Sequence, residues 1–110
     1  MAALECGRQG VLAQQVGALD QAAILFTHGI QLTPPSRPNL AAELLRDRAD
    51  CYWDLQRKED ACMDMKRALE LFPGVKVTAS VLAFTYLLYL QGLRYTFIYR
   101  SKVSVRSCNR

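Results

Sequence analysis

Residues 43–73 constrain this chain more than any other stretch. Apolar or small residues fall at Leu44, Leu45, Ala49, Tyr52 and Trp53. After the polar run Gln56-Arg57-Lys58 they recur at Ala61, Met65, Ala68, Leu69 and Leu71. Each half keeps the three-to-four-residue spacing that lays one apolar stripe along a helix. The polar break is too short for anything but a tight turn, so the two helices must fold back as an antiparallel hairpin. Pro73-Gly74 ends the second helix.

A poorer copy of the same pattern lies upstream, over residues 3–34. Ala22, Phe26, Gly29 and Pro34 precede Ala61, Met65, Ala68 and Pro73 by a constant 39 residues. Gly17-Ala18 marks the turn of this first hairpin, and Asp20 is the expected N-cap of its second helix. The first helix is weaker: Cys6, Gln9 and Ala13 stand where the second copy has Leu45, Arg48 and Tyr52, and only Gly10, opposite Ala49, keeps the small residue. Gly7 and Gly10 each cost about 1 kcal/mol against Ala in a helix, so its first turns are expected to fray. Between the copies, Pro34, Pro35 and Pro38 preclude a helix, and Asn39 is the expected cap of one starting near Leu40, with Glu43 placed to favour its dipole.

This pair of hairpins resembles the tetratricopeptide repeat (TPR) family, whose period is about 34 residues, with the five extra residues looped out between Pro34 and Asn39. With Pro73 as the terminal proline, Leu45 is similar to the family's first large residue, Ala49 to its small residue and Tyr52 to its aromatic. Ala61, Met65 and Ala68 match the small-large-small series of the second helix. Arg48 departs from the usual Leu. The resemblance implies an all-α fold of two hairpins followed by a C-terminal apolar helix, and a non-enzymatic adaptor that takes a peptide or a partner helix in a concave groove. Its groove positions are Arg8, Val11, Gln14 and Gln15 in the first repeat and Glu43, Arg46, Asp47, Asp50, Trp53 and Asp54 in the second. Trp53 would be the aromatic anchor unless it packs against the next helix instead. The clamp-type members of the family grip the terminal carboxylate of EEVD chaperone peptides with Lys, Arg and Asn. The positions that match here are Gly7, Val11, Asp47, Val77 and Val81. Such peptides are therefore not expected partners.

Bulk properties limit the rest. With 110 residues, 51% of them hydrophobic, the chain suits one domain. Residues 1–75 carry eight basic and ten acidic side chains, whereas residues 76–110 carry six basic and no acidic ones. The expected division is a helical domain over 1–74, with repeats at about 3–35 and 42–75, then an apolar segment over 75–100 and a basic, disordered tail over 101–110. Residues 77–93 hold no charge and carry three readings: a helix that caps the array, a membrane anchor flanked by basic residues, or an end outside the repeat pattern. Self-association through this segment is a further expectation, because a helix apolar on every side cannot bury all of it in so short a chain.

No start-of-chain signal for export is legible, so the four cysteines are expected as reduced thiols in the cytoplasm, with a tail-anchored membrane location as the alternative. One histidine and no paired cysteine motif give no basis for a metal or any other cofactor. Asp47, Asp50 and Asp54 share a helix face, a pattern more typical of a solvated surface than of a cation site. No nucleophile, base or phosphate-loop spacing supports catalysis. The tail's Arg and Tyr residues are the only pattern that would suit nucleic acid, and an apolar segment with charged flanks produces the same letters.

Overall fold

The computed structural model describes residues 2–76, and among them the chain is entirely helical. Four helices follow in order: α1 (Ala3–Gln15), α2 (Leu19–Leu32), α3 (Pro38–Asp54) and α4 (Lys58–Leu71). α1 packs on α2, α2 on α3 and α3 on α4, with a lighter contact between α1 and α3. Among the described residues α1 and α4 do not meet. The helices therefore stack in sequence instead of closing into a four-helix bundle, and each hairpin buries its apolar face against its neighbour.

The two hairpins turn by the same hydrogen bonds. At the end of α1, Ala18 N–H donates to the Ala13 carbonyl (2.9 Å) and Gly17 N–H to Gln14 (3.0 Å). At the end of α3, Arg57 N–H donates to Tyr52 (2.7 Å) and Gln56 N–H to Trp53 (3.0 Å). Each is a Schellman motif, which needs one residue in the left-handed region so that the N–H groups after the helix can turn back onto its last carbonyls. Gly17 supplies it at φ 83° and Gln56, 39 positions later, at φ 65°. Glycine adopts this conformation freely and glutamine does not. Gln56→Gly is therefore expected to stabilise the protein by about 1 kcal/mol. In thermal melts that is a rise of about 4–8 °C, and an unchanged melting temperature would show that the turn stores no strain.

Helix starts differ from the sequence expectation in two places. α3 begins at Pro38, with Arg37 as its N-cap residue, so Asn39 lies inside the first turn and Glu43 beyond it. Proline is well placed at the first helical position, where its missing N–H would have had no partner, and this outweighs the capping preference of Asn39. α2 begins at Leu19 with Ala18 as N-cap residue, which leaves Asp20 in the first turn, where its charge still favours the helix dipole.

Two apolar clusters make the core. Ala42, Leu45, Ala49, Ala61, Met65, Ala68 and Val75 pack between α3 and α4, while Ala3, Ala22, Ala23, Phe26, Leu40, Leu44 and Cys51 join α1 and α2 to α3. Ile30 and Tyr52 touch both clusters. Ala42, Ala49, Ala61 and Ala68 are wholly enclosed, which lets α3 and α4 approach closely, and Met65 fills the space beside them. Glycine plays the same part in α1. A Cβ on Gly10 would lie 2.6 Å from the Phe26 ring, and one on Gly7 would lie 2.9 Å from Leu44. These glycines, which from propensity alone only weaken α1, are what admit Phe26 and Leu44 against it. α1 is helical from Ala3, which is itself buried.

The chain remains attached beyond α4. Val75 is 7% exposed within the α3–α4 cluster, and the Lys76 carbonyl accepts a hydrogen bond from Arg46 Nη1 at 3.1 Å. A truncation meant to keep the second hairpin whole therefore ends at residue 76 or later, because a cut after 74 removes Val75 from the core. The expected C-terminal helix, membrane anchor and basic tail lie outside the described residues. Among those described, no helix is long and apolar enough to cross a membrane.

Candidate functional site

The open face between α1 and α3 forms a cleft of about 300 Å³ lined by Leu4, Gly7, Arg8, Val11, Leu12, Leu40, Glu43, Leu44 and Asp47. Its floor is apolar because Leu40 and Leu44 are buried, and Gly7 leaves room for the Leu44 side chain beside α1. Leu4 and Leu12 remain more than half exposed. Charge is confined to the rim: Arg8 on one bank, held by Glu5 at 3.2 Å, and Glu43 and Asp47 on the other. Arg46 Nε and Nη2 both donate to Asp47 Oδ1, at 3.2 and 3.1 Å.

Burial raises the Asp47 carboxyl above its ordinary value of 3.8. The Arg46 charge and hydrogen bond oppose the shift, and the Asp50 and Glu43 charges add to it. A carboxyl raised on folding destabilises the fold when ionised, so the penalty is present in full above the folded value and vanishes as pH falls below 3.8. Asp47→Asn is expected to raise the melting temperature at pH 7, with an advantage that shrinks as pH is lowered through the carboxylate range. A variant that gains most at acid pH would reverse the sign.

Of the groove residues expected from sequence, Arg8, Val11, Glu43 and Asp47 line this one cleft. Gln14, Gln15, Asp50, Trp53 and Asp54 lie further along α1 and α3, outside the lining, and Arg46 turns toward Asp47 and Lys76. Trp53 is half-buried against the α3–α4 core, and the Lys58 ammonium stands 5.0 Å from its ring centre. It is part of the hairpin end more than a free anchor. Sequence reading did not single out Leu4, Leu12, Leu40 and Leu44 as a binding floor. Their spacing is that of any amphipathic helix, and only the side-by-side placing of α1 and α3 makes them one surface.

A polar network joining α3 to α2 and α4 was also not legible. Arg48 Nε and Nη2 donate to the two carboxylate oxygens of Asp64, each at 2.7 Å, and Nη1 donates to Thr27 Oγ1 at 3.1 Å. Thr27 in turn donates to the Ala23 carbonyl at 2.7 Å. Arg48 is raised above the ordinary guanidinium value chiefly by its hydrogen bond to Asp64, against the opposing effect of burial. The Arg57 and Arg48 guanidiniums stand 4.5 and 5.5 Å from the Tyr52 ring centre. One arginine thus ties α3 to both α4 and α2.

The cysteines seen here, Cys6, Cys51 and Cys62, are free thiols. Burial pushes Cys51 up to about 12 and Cys62 up to about 11, which keeps both as poor nucleophiles at neutral pH. Among the described residues no group of His, Cys, Asp and Glu is arranged to hold a metal. Comparison with protein-family models, curated proteins and solved structures finds no match to this chain.

Proposed function

We propose that this protein is a non-enzymatic adaptor built from two TPR-like repeats, and that it takes a peptide or a partner helix along the α1–α3 cleft. The observation that carries the reading is the cleft itself: an apolar floor with charge only at its rim, lying between the first helices of two stacked hairpins. The repeated Schellman turn and the enclosed small residues at 39-residue spacing support the repeat assignment. Arg8 and Asp47 are each engaged by a neighbouring charge, which suits recognition. The proposed location is the cytoplasm. The tail-anchored alternative depends on residues 77–93 and is tested by fractionating cells that express the tagged full-length chain.

The binding reading is tested by selecting peptides against the full-length protein and mapping them by amide chemical shifts. Binders are expected to perturb Val11, Leu12, Glu43 and Leu44 and to need no free C-terminal carboxylate. Selected peptides that map instead to the outer face at Ile24, Leu32 and Met63 would reject the cleft as the site.

A further inference from the structure

We propose that the cleft's occupant in the resting protein is the chain's own basic segment, residues 94–106, held as an internal ligand that an outside partner must displace. This rests on the reading of the cleft as a peptide site. Three observations lead to it.

The first is where the chain goes after α4. It does not run on along the helix: Val75 N–H bonds back to the Phe72 carbonyl at 3.0 Å, Val75 packs into the α3–α4 core, and Lys76 is fastened to Arg46. Arg46 is bonded to Asp47, which lines the cleft, so the chain leaves the described part beside the cleft's acidic bank. The 17 residues from 77 to 93 can span up to about 55 Å, far more than the length of α3, about 25 Å, so reach does not limit docking.

The second is charge. Beyond Lys76 the chain carries Arg94, Arg100, Lys102, Arg106 and Arg110 and no acid. Asp47 is paired with Arg46 and Arg8 opposite with Glu5, which leaves Glu43, exposed on the nearby bank, as the unbalanced charge of the cleft. A cationic segment is attracted here and an anionic one repelled.

The third is the apolar pattern. Between Arg94 and Arg100, Tyr95, Phe97 and Tyr99 alternate with other residues, which in a strand-like peptide puts three aromatics on one side. That side matches the floor of Leu4, Val11, Leu40 and Leu44.

The test uses the full-length chain, the same chain with Arg94→Glu and Arg100→Glu, and a synthetic peptide of residues 94–106. A tethered occupant at millimolar effective concentration competes with added peptide, so the peptide is expected to bind the doubly substituted chain about tenfold more tightly than the parent. Glu43→Lys, at an exposed position, should abolish that binding, while Ile24→Asp on the outer face should leave it intact. A photo-crosslinker at Val11 should join residues 94–106 within one chain when light and heavy isotope-labelled proteins are mixed. Equal peptide affinity for the parent and the doubly substituted chain overturns the internal ligand but leaves the cleft as a peptide site. Crosslinks that pair light with heavy chains also overturn it, in favour of a partner copy. Peptide binding to neither chain overturns the internal ligand and leaves the cleft to be judged by the selected peptides.

Discussion

Asp64→Ala is expected to destabilise the protein by about 3–5 kcal/mol, a large share of the total for a fold of this size. The substitution removes both acceptors from Arg48 Nε and Nη2 and leaves an arginine side chain that is 19% exposed with only Thr27 as a hydrogen-bond acceptor. An uncompensated buried charge costs far more than the intact pair contributes, because desolvation of two ions largely cancels their attraction. The double change Arg48→Met with Asp64→Leu should therefore recover most of the loss, or exceed the parent. Urea midpoints of Arg48→Met, of Asp64→Leu and of the double variant, combined in a cycle, measure the coupling. If Asp64→Ala unfolds within about 1 kcal/mol of the parent, the pair is solvated and does not bind the hairpins together.

That pair also shows where reading the sequence stopped. Arg48 is legible only as a break in an apolar pattern, since its partner lies 16 residues away on another helix, a spacing that helical periodicity does not reveal. The hairpins themselves were legible, because the apolar and small positions of α4 repeat those of α2 at 39 residues and the turns fall where the pattern breaks. Caps were less so: Pro38 and Asn39 both carry start signals, and propensity does not rank them. At the cleft, sequence placed Arg8, Val11, Glu43 and Asp47 on the inner sides of two helices. Its apolar floor depends on how α1 lies against α3, which is a matter of packing.

The contact of Gly10 with Phe26 supplies a prediction whose sign depends on its background. Phe26 is fully enclosed and is the largest such side chain among the described residues, so Phe26→Ala should cost about 3–5 kcal/mol. Gly10→Ala alone faces two opposed effects. Helix propensity favours alanine by about 1 kcal/mol. Sterics oppose it, since the new methyl would lie 2.6, 2.8 and 2.9 Å from three atoms of a ring that has no solvent to move into, and overpacking costs about 1–3 kcal/mol. Sterics should win, giving a net loss in the parent. In the Phe26→Ala background the ring is gone and only propensity remains, so Gly10→Ala should there stabilise by about 1 kcal/mol. Denaturant melts of the four proteins would show this reversal as a coupling well above the additivity expected for distant sites. A Gly10→Ala effect of the same sign and size in both backgrounds would mean that α1 does not approach Phe26 as closely as the fold requires.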